Sequence, residues 1–117
     1  MMRPVLHGDV VAAALVLLRL PVLARRDAMR DMLEQAAAAD LYRKRLGKGH
    51  PAWGNGSLMA VAMRRERASE PFLDDPDYCR CLITVFSTLL EWRAERAMFS
   101  RRRRKCRSAR SDQAEAV

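Results

Sequence analysis

PDYCRCLITVFSTLLEWRAERAMF, residues 76–99, decides how this chain folds. Tyr78, Leu82, Val85, Leu89, Trp92 and Phe99 recur at alternating steps of four and three, broken only where Arg96 takes a place in the row. Such steps return to one face of an α-helix. A second row, Cys79, Ile83, Phe86 and Leu90, runs beside the first. Together the rows make an apolar band wider than a two-stranded coiled-coil seam requires. One row suits the chain's own core and the other a second copy. Self-association is therefore expected, with Leu82, Val85, Phe86, Leu89 and Trp92 as the candidate interface. Asp75 is a good N-cap and Pro76 fits the first helical position, so the spacing predicts a helix from Pro76 to about Arg104.

Working outward, nothing alternates with period two over a useful length, and the reading is helical throughout. Asp9 is read as the N-cap of a first helix that runs to about Leu20, where Pro21 stops it. Pro21 also suits the first turn of a second helix, with Asp27 and Asp31 early and Arg43, Lys44 and Arg45 late, in keeping with the helix dipole. Gly47 and Gly49 end it. After a glycine-rich loop, Ser57 caps a short third helix read through Arg67. The expected fold is a small all-α domain of about four helices with a long C-terminal amphipathic helix and a basic tail. Residues 1–99 form the helical core and oligomerisation domain, and residues 100–117 a basic tail expected to be flexible, frayed beyond Ser108.

Charge is distributed very unevenly. The formal net charge is +8. All of it lies between Arg93 and Arg110, where Glu95 is the single acid; the remainder of the chain is balanced. A neutral body with a concentrated arginine end engages a polyanion without drawing the folded part into the field. Arg101, Arg102, Arg103, Arg104, Lys105, Arg107 and Arg110 are the candidate DNA contacts. They suit phosphates and not base edges, because a bare arginine run presents no fixed pattern to a groove. Arg43, Lys44, Arg45, Arg64, Arg65 and Arg67 form secondary basic spots, each with a ready structural use at or near a helix end.

Other chemistries find little support. Three cysteines, an odd number, make no disulfide framework and point to a reducing cytoplasm. The apolar run Val10–Leu18 spans nine residues, too few for a bilayer, and Asp9 and Arg19 at its edges argue against a signal peptide. Cys79 and Cys81, two apart on a helix, face different ways and cannot share a metal; they are read as buried thiols. The glycines from 47 to 56 lack the Lys and the preceding strand of a phosphate loop, so Trp53 is expected to plug back into the core from a turn-rich loop. No nucleophile, base and acid can be assembled, and Asp74, Asp75 and Asp77 sit where a helix N-terminus favours acids. No catalytic residue, cofactor or metal is expected.

Three strings carry a resemblance: Leu6-His7-Gly8-Asp9-Val10; Tyr42-Arg43-Lys44-Arg45 leading to His50-Pro51-Ala52-Trp53-Gly54-Asn55-Gly56-Ser57-Leu58-Met59; and Glu70-Pro71-Phe72-Leu73-Asp74-Asp75-Pro76-Asp77-Tyr78-Cys79. Across about residues 3 to 92 the chain resembles the small terminase subunit of alphaproteobacterial gene transfer agents, phage-like particles that package host DNA. The resemblance implies an oligomeric, ring-shaped adaptor that binds double-stranded DNA and hands it to a large terminase carrying the ATPase and nuclease. Phage small terminases commonly carry a separate N-terminal helix-turn-helix, for which this chain has no room, so packaging with little sequence selectivity is implied. The alternatives are a small transcriptional regulator reading bases through the Arg64–Arg67 region, and a protein-interaction module whose tail meets an acidic surface.

Overall fold

The computed structural model describes the backbone of residues 3–115 and the side chains of residues 3–102. Four helices follow in order: α1 (His7–Leu18), α2 (Val22–Leu46), α3 (Leu58–Ala62) and α4 (Pro76–Glu115), with no strand among the described residues. The all-α fold expected from the periodicity is the one observed. No helix among the described residues is long and apolar enough to cross a membrane.

The helix ends show how local sequence sets these boundaries. α1 starts two residues before Asp9, which sits at its third position and not at the cap. From there Asp9 Oδ2 accepts the Leu6 N–H at 2.7 Å, and Oδ1 accepts the Met59 N–H of α3 at 3.0 Å. One buried carboxylate thus satisfies donors at the starts of two helices. α2 ends in Gly47, at φ 71°, whose N–H returns to the Arg43 carbonyl at 2.8 Å. Ser57 caps α3 as expected, its hydroxyl accepting the Ala60 N–H. Asp75 caps α4, accepting from Asp77 and Tyr78.

Two further boundaries differ from the sequence reading. α3 closes at Ala62, so Arg64, Arg65 and Arg67 lie past its end and not within it. In place of further α-helical bonds, the Arg64 and Arg65 N–H groups bond the Val61 and Ala62 carbonyls, tightening into a turn. α4 continues helical to Glu115, beyond the expected stop near Arg104.

α1 packs against α4, α3 and α2, while α2 also meets α4 and α3. The core is built from small residues on α1 and α2 (Ala12, Ala13, Ala14, Ala36), beside Leu17, Met29, Met32 and Leu33, with Tyr78, Cys81, Val85, Leu89 and Trp92 entering from α4. Alanines let the axes approach closely and leave the bulk to α4. The molecule is elongated, 64 × 30 × 22 Å. A helix of 40 residues accounts for that long axis, at about 1.5 Å per residue. The body therefore covers the first part of α4, and the arginine end belongs to the remainder.

Candidate nucleic-acid interface

The body spends its cations on itself. Arg25, buried in α2, donates through Nε to the carbonyls of Leu17 and Leu20 and through both terminal nitrogens to the Asp77 carboxylate at 2.8 and 3.1 Å. The fork ties the α1–α2 corner to the start of α4 and fills the guanidinium's donors. The Arg25 bond holds the Asp77 carboxyl below its ordinary value. The next residue, Arg26, meets Glu91 at 2.6 Å and, one turn on, Arg30 meets Glu95 at 2.7 Å, and Arg30 likewise lowers the Glu95 carboxyl. Glu34 completes the ladder by accepting the Trp92 indole N–H at 2.7 Å, while the Arg96 guanidinium lies over the Trp92 ring, 4.2 Å from its centroid.

Of the secondary basic residues, several are similarly committed. Lys44 pairs with the buried Asp40 carboxylate at 2.8 Å. Arg65 donates to the Gln35 side chain of α2, and Arg67 donates to the Ala62 and Arg65 carbonyls at the end of α3. Arg64 reaches back to the Pro51 carbonyl, and Arg3 to the Asn55 carbonyl, so both brace the glycine-rich loop. Arg43, Arg45 and Lys48 are exposed where α2 enters that loop. The body thus offers one modest basic surface around residues 43–56. Within it His50 stacks on Trp53 at 4.6 Å and meets Tyr42 edge-on at 4.8 Å. Trp53 is only half-buried, packed against the margin of the core and not plugged into its centre. Gly56, at φ 95°, passes so close to α2 that a Cβ there would lie 2.7 Å from the Asp40 Cα.

The arginine end is arranged differently. Arg101 and Arg102 are exposed on α4, and the helical backbone carries the rest of the run. Arg103, Arg104, Lys105, Arg107 and Arg110 lie outside the residues whose side chains are described.

The expected subunit interface needs correction. Val85, Leu89 and Trp92 are buried inside the protomer's own core, and Leu82 packs half-buried against it. Surfaces already sealed by α1 and α2 cannot receive a second copy. Phe86 alone of that set is exposed, together with Ile83 and Leu90 of the neighbouring row. The two cysteines also part company: Cys81 is buried, with its thiol pushed up by burial, whereas Cys79 is half-exposed and its Sγ donates to the Leu73 carbonyl. No group of three or more potential metal ligands occurs among the described residues.

Sequence reasoning missed the buried Arg25 and its partners. The signal was present: positions 25, 29, 32 and 36 share one helical row with Met29, Met32 and Ala36, so an arginine there had to be buried and paired.

Neither the curated proteins nor the solved structures include a match to this chain. A family match does cover residues 3–89, the folded body up to the point where the basic excess begins. The chain belongs to the family described as a domain of unknown function, DUF7742.

Proposed function

We propose that this protein is a non-enzymatic DNA-packaging adaptor of the small terminase kind. It self-associates, holds double-stranded DNA through phosphate contacts with little sequence preference, and presents it to a large terminase in the cytoplasm. The observation that carries the reading is the confinement of the whole +8 charge to Arg93–Arg110, most of it from Arg101 onward on α4, beside a body whose own arginines are largely engaged. The resemblance across residues 3 to 92 supplies the packaging context. Linked copies gain by effective concentration what each arginine run lacks alone.

A regulator that reads bases needs a fixed helix offering free side chains to a groove. α3 is five residues long, and Arg65 and Arg67 beyond it are held by protein acceptors. Non-selective phosphate binding is therefore preferred. Gel-shift titration of the full chain against a variant ending at Ser100 tests it, with excess unrelated duplex as competitor. The full chain should bind, the truncated one should lose most retention while keeping its assembly state, and competition should be equal for all duplexes. Undiminished binding by the truncated chain, or one strongly preferred site, contradicts the proposal; absence of binding even at low salt favours the protein-interaction module instead.

A further inference from the structure

α4 is apolar on two faces. One side fills the core through Tyr78, Cys81, Val85, Leu89 and Trp92. On the other, Ile83, Phe86 and Leu90 stand 63 %, 50 % and 70 % exposed, at steps of three and four. Cys79 leads into this stripe and Ala94 and Ala97 lead out of it, without a charge on that line. The Cys79–Leu73 bond brings the exposed Phe72–Leu73 pair to its upstream end. An exposed, uncharged stripe of this length is suited to docking against another protein surface.

The complementary surface lies on α2 of the same chain. Its outer face exposes Leu23, Asp27, Asp31, Glu34, Ala38 and Leu41, of which Glu34 is already held by Trp92 of its own chain. Toward its C-terminal end an open groove of about 370 Å³ is lined by Ala38, Leu41, Tyr42, Arg45 and Leu46. Toward its N-terminal end Asp27 and Asp31 have no ion-pair partner among the described residues, and the same is true of Arg93 on α4. Phe86 precedes Arg93 by seven residues, and Asp31 precedes Ala38 by seven. At about 1.5 Å per residue the two spacings match when the helices run antiparallel.

We propose that the outer stripe of α4 in one copy docks antiparallel on the outer face of α2 in the next copy, with Phe86 entering the groove beside Ala38 and Leu41 and Arg93 meeting Asp31 and Asp27. In this register Ile83 falls near Leu41. A symmetric α4–α4 contact centred on Phe86 is the poorer use of the stripe, because it sets Arg93 opposite Cys79 of the partner chain and gives Asp27 and Asp31 no partner. Since two different faces meet, the association is head-to-tail: every copy both offers a stripe and receives one, and the contacts are all satisfied only when the series closes. This deepens the self-association within the proposed function and rests on that part of it, not on DNA binding.

The test uses the full chain without DNA, by native mass spectrometry and sedimentation, with circular dichroism to confirm helix content. The wild-type chain should form assemblies of more than two copies, and Phe86→Glu should be monomeric and fully helical. Arg93→Glu alone, and Asp27→Arg with Asp31→Arg, should each weaken assembly about tenfold, and the chain carrying all three reversals should recover it. A monomeric wild type, assembly untouched by Phe86→Glu, or reversals that have no effect or do not rescue one another would overturn the proposal. Loss of DNA binding with assembly intact would instead contradict the phosphate-binding reading alone, so the two failures are told apart.

Discussion

Arg25, Arg26 and Arg30 of α2 each end on a carboxylate of α4, whereas Arg101 and Arg102 stand exposed at the start of a run with no acid between Glu95 and Asp112. The same residue type thus serves two purposes within one helix pair. In the body, guanidinium forks fix the approach of α2 to α4 and cancel their own field. At the arginine end the sequence places no acid between Glu95 and Asp112, and the excess positive charge of the chain lies there. Basic composition alone would have placed a DNA surface anywhere on this chain. The pairing pattern favours one end for the proposed surface, with the loop around Arg43, Arg45 and Lys48 as a lesser candidate.

The largest expected effect that separates the two regions is on stability. Trp92→Ala removes the last core side chain of α4, along with the Glu34 acceptor's donor and the ring under Arg96, and should cost about 4 kcal/mol in urea unfolding. Arg25→Met follows. It leaves the Asp77 carboxylate without its fork and takes the Arg25 donor from the Leu20 carbonyl and from that of Leu17, which keeps the Leu20 N–H, and should cost about 3 kcal/mol, below the upper range for a buried pair because Asp77 is partly exposed. Arg101→Gln with Arg102→Gln should leave the unfolding midpoint within about 0.5 kcal/mol of wild type. A tail variant as destabilising as Arg25→Met would erase the distinction between the regions.

A pH titration sharpens the comparison further. The Asp77 and Glu95 carboxyls are lowered chiefly by their hydrogen bonds to Arg25 and Arg30. Each favours the folded state above its unfolded value, about 4, and that contribution disappears as pH falls through the lowered folded value. Thermal stability should therefore stay level from neutral pH down to about 5 and drop below about 4, a loss that Asp77→Asn should flatten. A fall that sets in near neutral pH would contradict the assignment. The smallest effect is expected from neutralising Arg43, Arg45 and Lys48 to Gln: DNA affinity should fall by a few fold at low salt, with the salt slope reduced by less than about one. A loss as large as that caused by removing the arginine end would move the interface to the loop.

Much of this was legible in the sequence. The two rows of α4, the Asp75 and Ser57 caps and the Gly47 terminus are local signals, and the structure uses them as read. Errors arose where tertiary contacts decide. Asp9 looks like an N-cap until Met59 is known to need an acceptor beside Leu6. Arg64 to Arg67 contain no breaker, so only packing of the following segment reveals that α3 ends at Ala62; the Ala68 N–H is drawn away to the Leu15 carbonyl of α1. The periodicity showed that α4 has two apolar rows but not which of them the chain covers itself, and Leu82, Val85, Leu89 and Trp92 were for that reason placed at a subunit contact instead of in the core. As for the candidate DNA surface, its charge was evident from composition, while its separation from the paired arginines of the body depends on geometry.

The most direct test of the account is the salt dependence of duplex binding by the full chain beside the chain ending at Ser100. If the arginine end neutralises about five phosphates, the plot of log affinity against log salt should have a slope of roughly −4 to −5 for the full chain, and close to zero for the truncated one. Equal slopes for the two proteins, or a full-length affinity indifferent to salt, would contradict it.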